Sequence, residues 1–189
     1  DAIVVCGTTG EAATLSYNER MALIERCVRT VDRRVPVIAG SGTNSTASSI
    51  ALSKAAQSAG VDALLTVTPY YNKASQSGLV QHFSAIADAV DVPVILYNVP
   101  ARTGVGCTVQ TYQALAKHPN IVGVKEASDN FDLIQDTLNL CPPGFTVWSG
   151  NDGSTAAIMA LGGKGVISVA ANVVPREMHV LDLRKEPPR

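Results

Sequence analysis

Lys125 closes the apolar run Ile121-Val122-Gly123-Val124, and of the six lysines it alone ends a run that reads as a buried strand. An ammonium in such a place is costly to desolvate, so it must be neutralised, paired or used chemically. A neutral amine adds to a ketone and forms a Schiff base, and the iminium then acidifies the adjacent carbon. That route makes a carbon nucleophile with no metal or organic cofactor. The plainer alternatives are a buried Lys–Glu pair, or a lysine with a buried stem and a solvated head.

Other polar groups end runs of the same kind. Tyr97 terminates Val92–Leu96, where a phenol can pass a proton between amine, carbinolamine and substrate. Its pKa is ordinarily high, so a relay with Thr9 and Tyr71 suits it better than standing ionisation; the alternative is an ordinary buried tyrosine. Gly7-Thr8-Thr9-Gly10-Glu11 is a tight polar segment whose N–H groups and hydroxyls could hold a carboxylate, or simply a turn. Arg102 follows Pro100, in a loop stiffened by the proline, and its fork matches a second carboxylate; otherwise it is a solvent-facing arginine paired with Asp or Glu. His82, His118 and His179 fall in helical segments and read as structural. No metal-ligand spacing and no Ser–His–Asp arrangement emerges.

Positioning these groups requires a repeated scaffold. Apolar runs at Ala2–Cys6, Val35–Ala39, Ala63–Val67, Val92–Tyr97, Ile121–Lys125, Phe145–Trp148 and Gly165–Val169 recur at 20 to 33 residues, the size of a strand plus a crossover helix. Their apolarity is continuous rather than alternating, which predicts parallel strands covered by helices. Ser16-Tyr17-Asn18-Glu19 is a capping box, and Met21, Ile24 and Val28 follow at helical spacing. Leu79, Phe83, Ile86 and Val90 form a second stripe, and Phe131, Ile134 and Leu138 another. Thr108 can cap a helix that stops at His118-Pro119, Gly60 and Gly162 suit C-terminal caps, and Pro175 suits a first turn.

Seven strands and seven helical segments predict an α/β fold, a (β/α)8 TIM barrel over residues 1–189 with strands 2 to 8 visible. A doubly wound dinucleotide fold fits less well, since Gly40-Ser41-Gly42 lacks the third glycine of its fingerprint. The chain opens inside a strand and its final helix ends in Lys185-Glu186-Pro187-Pro188-Arg189. We therefore expect a longer enzyme whose first strand and C-terminal helical region are absent here. Barrel chemistry gathers at the C-terminal ends of strands, where the lysine, tyrosines, threonines and arginine above lie and the histidines do not.

Composition narrows the function classes. The 189 residues are 46% apolar with a net charge of -1 and a pI near 6.3, and the basic residues are scattered, which argues against a nucleic-acid surface. No stretch approaches a membrane span, and no basic leader precedes Ala2-Ile3-Val4-Val5. Cys6, Cys27, Cys107 and Cys141 lack redox or metal spacing, so a reducing compartment, the cytoplasm, is expected over a disulfide framework.

Five segments in order carry a specific resemblance: Gly7–Glu11, Pro69-Tyr70-Tyr71-Asn72-Lys73, Tyr97–Gly104, Val124-Lys125-Glu126-Ala127 and Gly165–Val169. Along essentially its whole length the chain resembles the dihydrodipicolinate synthase family of class I pyruvate aldolases. The resemblance implies that Lys125 forms the Schiff base with pyruvate and that Tyr97 transfers protons. It implies Thr9 as relay threonine and Tyr71 as the relay tyrosine given to a neighbouring subunit's site. Thr8 and Thr9 would hold the pyruvate carboxylate, Arg102 the carboxylate of L-aspartate 4-semialdehyde, while Gly150 and the Ile167 carbonyl line the pocket. It further implies a homotetramer, a dimer of dimers, with no cofactor, making 4-hydroxy-tetrahydrodipicolinate toward diaminopimelate and lysine. Ser48 replaces the acidic group that regulated members use to hold lysine, so inhibition by lysine is expected to be weak or absent. Sister aldolases of N-acetylneuraminate or 2-keto-3-deoxy sugar acids share the lysine and tyrosine, and Arg102 separates them, since a sugar acid needs hydroxyl partners instead. A non-catalytic barrel that binds a partner would lack one of the lysine–tyrosine–threonine set.

Overall fold

Six of the apolar runs form strands: β1 Ile3–Val5, β2 Val37–Gly40, β3 Ala63–Val67, β4 Val94–Asn98, β5 Ile121–Glu126 and β6 Thr146–Ser149. The computed structural model describes residues 1–183; the expected helix end at Lys185–Arg189 lies outside the described residues. The strands pair in sequence order and all in parallel, forming a curled sheet that accords with part of a (β/α)8 barrel.

Helices α1 Tyr17–Val31, α2 Thr46–Ser58, α3 Gln76–Ala87, α4 Pro100–Thr103, α5 Val109–Leu115, α6 Phe131–Leu140, α7 Thr155–Leu161 and α8 Pro175–Leu183 make the connections. The capping box of α1 forms as expected: the Glu19 N–H donates to Ser16 Oγ at 3.3 Å, and the Ser16 N–H to Glu19 Oε2 at 2.9 Å. Thr108 caps α5, and Gly60 and Gly162 take the positive φ that ends α2 and α7. Ile24, Leu79, Phe83, Ile86 and Ile134 are buried as their spacing predicted, as are Tyr112 and Leu115 of α5, whereas Phe131, at the first turn of α6, is exposed.

Apolar side chains on the two sides of the sheet form separate clusters. Leu64, Val94, Leu96, Ile121, Val124 and Val147 pack toward the helices. Leu65, Ile95, Tyr97, Val99 and Ala127 gather on the concave face, with Val67, Val122, Trp148 and Ile167 against them. Strict alternation would place Ile121 and Val124 on opposite faces, yet both face the helices. A register shift between Val94 and Ile95 explains it: Val94 pairs with Ile121 but Ile95 with Gly123. The extra residue resets the alternation. Gly123 permits it, at φ 156° and with its α-carbon so close to β6 that a Cβ would meet Thr146 O at 2.0 Å.

Three expectations are corrected. Gly165–Val169 is not a strand; it makes one bridge, Ser149 with Val166. Gly165 has φ 147°, and the Asp152 carboxylate accepts the N–H groups of Val169 and Ala170 at 3.1 and 2.9 Å, curling the chain into a 3-10 turn at Ala170–Asn172. The segment holding Arg102 is a helical turn, α4, with Pro100 opening it. His118 lies in the turn beyond α5 rather than in a helix.

Candidate active site

The reset register sets the geometry of the site. Tyr97 on β4 pairs with Lys125 on β5, with Val67 and Trp148 flanking them on β3 and β6. The four side chains form one row across the concave face. Lys125 Nζ sits over the Tyr97 ring, 4.4 Å from its centroid, and the lysine is only 8% exposed.

Burial drives the Lys125 pKa from 10.5 down to about 8, partly opposed by the negative charge of Asp152. That change corresponds to roughly 3 kcal/mol against the charged form. A cation–π contact contributes only about 0.5–2 kcal/mol the other way, so desolvation dominates. A group titrating near 8 is half neutral at that pH, whereas an ordinary lysine is neutral in fewer than about one molecule in a hundred. The geometry thus supplies a nucleophilic amine near neutral pH.

Burial raises the Tyr97 phenol, and the Arg102 guanidinium and the Thr8 side chain offset part of that rise. The phenol therefore stays protonated at neutral pH, in keeping with the expectation against standing ionisation. Its neighbour is Thr8 rather than Thr9.

A cavity of about 220 Å³ opens at the strand ends, walled by Thr8, Gly40, Gly42, Tyr70, Tyr97 and Arg102, with Arg20 and Glu11 among its other lining residues. Thr8 and Thr9 stand in a 3-10 turn directly after β1. Thr9 is exposed and off this wall. Lys125 does not line the cavity either and communicates with it through the Tyr97 ring. Arg102 is exposed on α4, and its guanidinium makes no ion pair among the described residues.

Tyr71 is placed differently. It stands at φ 71° with 88% of its surface exposed, away from the cavity of its own chain. Gly150 backs the end of β5: its N–H donates to Glu126 O at 2.7 Å, and a Cβ would approach that of Ala127 to 2.7 Å. Ile167 packs on the concave cluster, its N–H bonded to Ser149 O at 2.9 Å.

Sequence reasoning missed several of these parts. Gly40-Ser41-Gly42, weighed only as a dinucleotide fingerprint, lets the end of β2 pass between its neighbours. A Cβ on Gly40 would meet Cys6 O at 2.1 Å, and one on Gly42 would meet Val67 N at 2.4 Å. Asp152 was legible only as part of the sixth strand end, Ser149-Gly150-Asn151-Asp152, and Arg20 only in the region compared with the lysine pocket of regulated members; the influence of Asp152 on Lys125 and the place of Arg20 on the cavity wall were not foreseen. The three histidines stay outside the site: His82 Nδ1 bonds Thr46 Oγ1 at 2.8 Å, His118 meets Asp88 and His179 meets Asp1. All four cysteines are free, and no metal-holding cluster of His, Cys, Asp and Glu occurs among the described residues.

A model of the dihydrodipicolinate synthetase family matches residues 1–184. The chain is 54% identical over 176 residues to the 4-hydroxy-tetrahydrodipicolinate synthase of Geobacter sulfurreducens, covering 93% of this chain and 61% of that protein. It is 50% identical over 181 residues to the synthase of Acetivibrio thermocellus, covering 96% and 61%. It thus spans about three-fifths of the length of these curated relatives. The crystal structure of dihydrodipicolinate synthase from Aquifex aeolicus matches with a TM-score of 0.96 and 46% identity, over 98% of this chain and 64% of that one. The chloride-inhibited synthase of Acinetobacter baumannii complexed with pyruvate matches at 0.95 and 46%, over 98% and 65%.

Proposed function

The chain belongs to the dihydrodipicolinate synthetase family, and on that premise we propose that it carries the site of a 4-hydroxy-tetrahydrodipicolinate synthase. The neutral Lys125 amine adds to the ketone carbon of pyruvate, and the carbinolamine loses water to give an iminium. Loss of a methyl proton yields the enamine, whose carbon attacks the aldehyde of L-aspartate 4-semialdehyde. The amino group of the adduct then attacks the imine carbon, displaces Lys125 and closes the ring. Tyr97 moves the protons between these stages. Thr8 and Thr9 hold the pyruvate carboxylate, Arg102 receives that of the aldehyde, and Gly150 with the Ile167 carbonyl closes the pocket.

The observation that carries this reading is the desolvated amine of Lys125 held against the Tyr97 ring. The pyruvate complex of the Acinetobacter relative supports the keto acid. The outward tyrosine at position 71 supports a shared site in which a partner subunit receives it, within a dimer of dimers. Free thiols support the cytoplasm as the compartment, and no helix among the described residues is long and apolar enough to cross a membrane. Borohydride reduction with pyruvate tests the reading on the full-length protein. Peptide mass analysis should place the reduced adduct on Lys125, and a folded protein that traps nothing there sinks it.

A further inference from the structure

One residue beyond the reactive pair, on the opposite face of the same two strands, lies a buried polar cluster to which the reaction assigns no role. Asn98 pairs with Glu126 in the register step after Tyr97 and Lys125. Both are almost wholly buried, and so is Tyr112 of α5. Asn98 Nδ2 donates to Glu126 Oε1 at 2.9 Å and Oε2 at 3.1 Å. The Tyr112 hydroxyl donates to Oε2 at 2.6 Å and the Ser128 N–H to Oε1 at 2.9 Å. Asn98 Oδ1 in turn accepts the Cys107 N–H at 3.1 Å. No basic side chain pairs with Glu126 among the described residues.

A buried carboxylate without a counter-ion is an expensive way to fill space, and an apolar residue would pack there at lower cost. What the carboxylate adds is direction: three donors from β4, α5 and the β5 exit fix both of its oxygens. Direction matters because β5 has just passed the extra residue at Gly123. With its register slipped by one, Lys125 would turn to the helices. We propose that Asn98 and Glu126 form a cross-strand clamp that locks β5 in the reset register, making Glu126 a positioning residue that holds the Lys125 amine against Tyr97.

The functional consequence rests on the Schiff-base reading, so the test needs one readout that does not. In the full-length protein, Glu126→Ala, Asn98→Ala, the double variant and Glu126→Gln are compared at equal folded fraction, judged by near-ultraviolet circular dichroism. The first readout is the pH midpoint of Lys125 labelling by trinitrobenzenesulfonate, which requires no substrate. The second is the rate and half-saturation of pyruvate trapping by borohydride.

In Glu126→Ala the labelling midpoint should move from about 8 toward the ordinary lysine range. Trapping should slow about a hundredfold with little change in half-saturation, the scale of an ångström-sized misplacement. Glu126→Gln, which keeps an acceptor oxygen, should recover most of both, and the double variant should match the single ones because the pair acts as a unit. If Glu126→Ala does not fold, Asn98→Ala supplies the same readouts. A folded variant whose midpoint and trapping rate stay within about twofold of the parent overturns the clamp. If the parent traps no pyruvate yet its labelling midpoint still depends on Glu126, the reaction is wrong and the clamp stands.

Discussion

The ends of β4 and β5 carry two pairs of polar residues, one on each face, under opposite physical regimes. On the concave side, Lys125 rests over a ring and makes no ion pair among the described residues. On the helix side, Asn98 and Glu126 are bonded by several short contacts. Both ionisable groups are buried, and burial shifts each toward its neutral form. The difference lies in what is left unmet. Glu126 has its hydrogen bonds and spends them on position. Among the described residues Lys125 makes no such bonds, and that deficit suits the amine to chemistry.

The sharpest way to break the contrast is to remove the unmet group. Lys125→Met should abolish imine trapping and lower kcat/KM by about 10⁴-fold or more, since it removes the covalent step itself. Stability should move the other way. The folded amine titrates near 8 and the unfolded one near 10.5, so below pH 8 the native state bears the full cost of the buried charge. Between about 8 and 10.5 only the unfolded chain holds that proton, and stability rises with pH. Lys125→Met should therefore stabilise the protein at pH 7 by up to about 3 kcal/mol and flatten that rise. Glu126 has the opposite sense: its raised pKa gives stability that is fully present below the unfolded carboxyl range and lost as pH climbs through the folded value. Urea titrations across pH separate the two windows. A Lys125→Met protein no more stable than its parent at pH 7 would contradict the assigned burial cost.

A gentler probe keeps the ring and deletes only the proton carrier. Tyr97→Phe should lower kcat about 10²- to 10³-fold, the usual worth of a positioned acid–base group. The Lys125 labelling midpoint should stay put, because the aromatic face beneath the amine is retained. Steady-state kinetics beside labelling decide the matter. A kcat within about threefold of the parent would remove the phenol from the proton path.

The contrast also explains what the sequence could and could not reveal. Parallel strands covered on both faces are apolar throughout, so six of them stand out as runs. That same continuity hides which way each residue faces. Nothing in Ile121-Val122-Gly123-Val124 announces that Gly123 carries a bulge, so which of Lys125 and Glu126 faces the helices was illegible, and a buried Lys–Glu pair remained a fair alternative. The geometry excludes it. Gly165–Val169 reads as a seventh strand because its apolarity is real, but Asp152, thirteen residues upstream of Gly165, takes two of the N–H groups near its end. Caps were legible because they are local, as at Ser16 and Glu19. Close approaches such as Gly40 against Cys6 were not, because the second partner comes from another strand.

Arg102 offers the smallest and most selective test of the concave side. It stands on a short helical turn begun by Pro100, exposed and without an ion pair among the described residues, yet close enough to Tyr97 to favour its ionised form. A guanidinium so placed suits the carboxylate proposed for it above. Loss of such a charge-assisted contact costs about 1.5–3 kcal/mol. Arg102→Ala should accordingly raise the KM for aspartate semialdehyde about 10- to 100-fold while leaving pyruvate trapping on Lys125 unchanged. Arg102→Lys should recover little, because an ammonium cannot reproduce the planar two-point contact. The informative failure is a parallel loss of pyruvate trapping. That outcome would transfer Arg102 to the keto acid and leave the aldehyde carboxylate to another cation on the same cavity wall, where Arg20 lies buried with its Nη2 donating to Ala12 O at 2.6 Å.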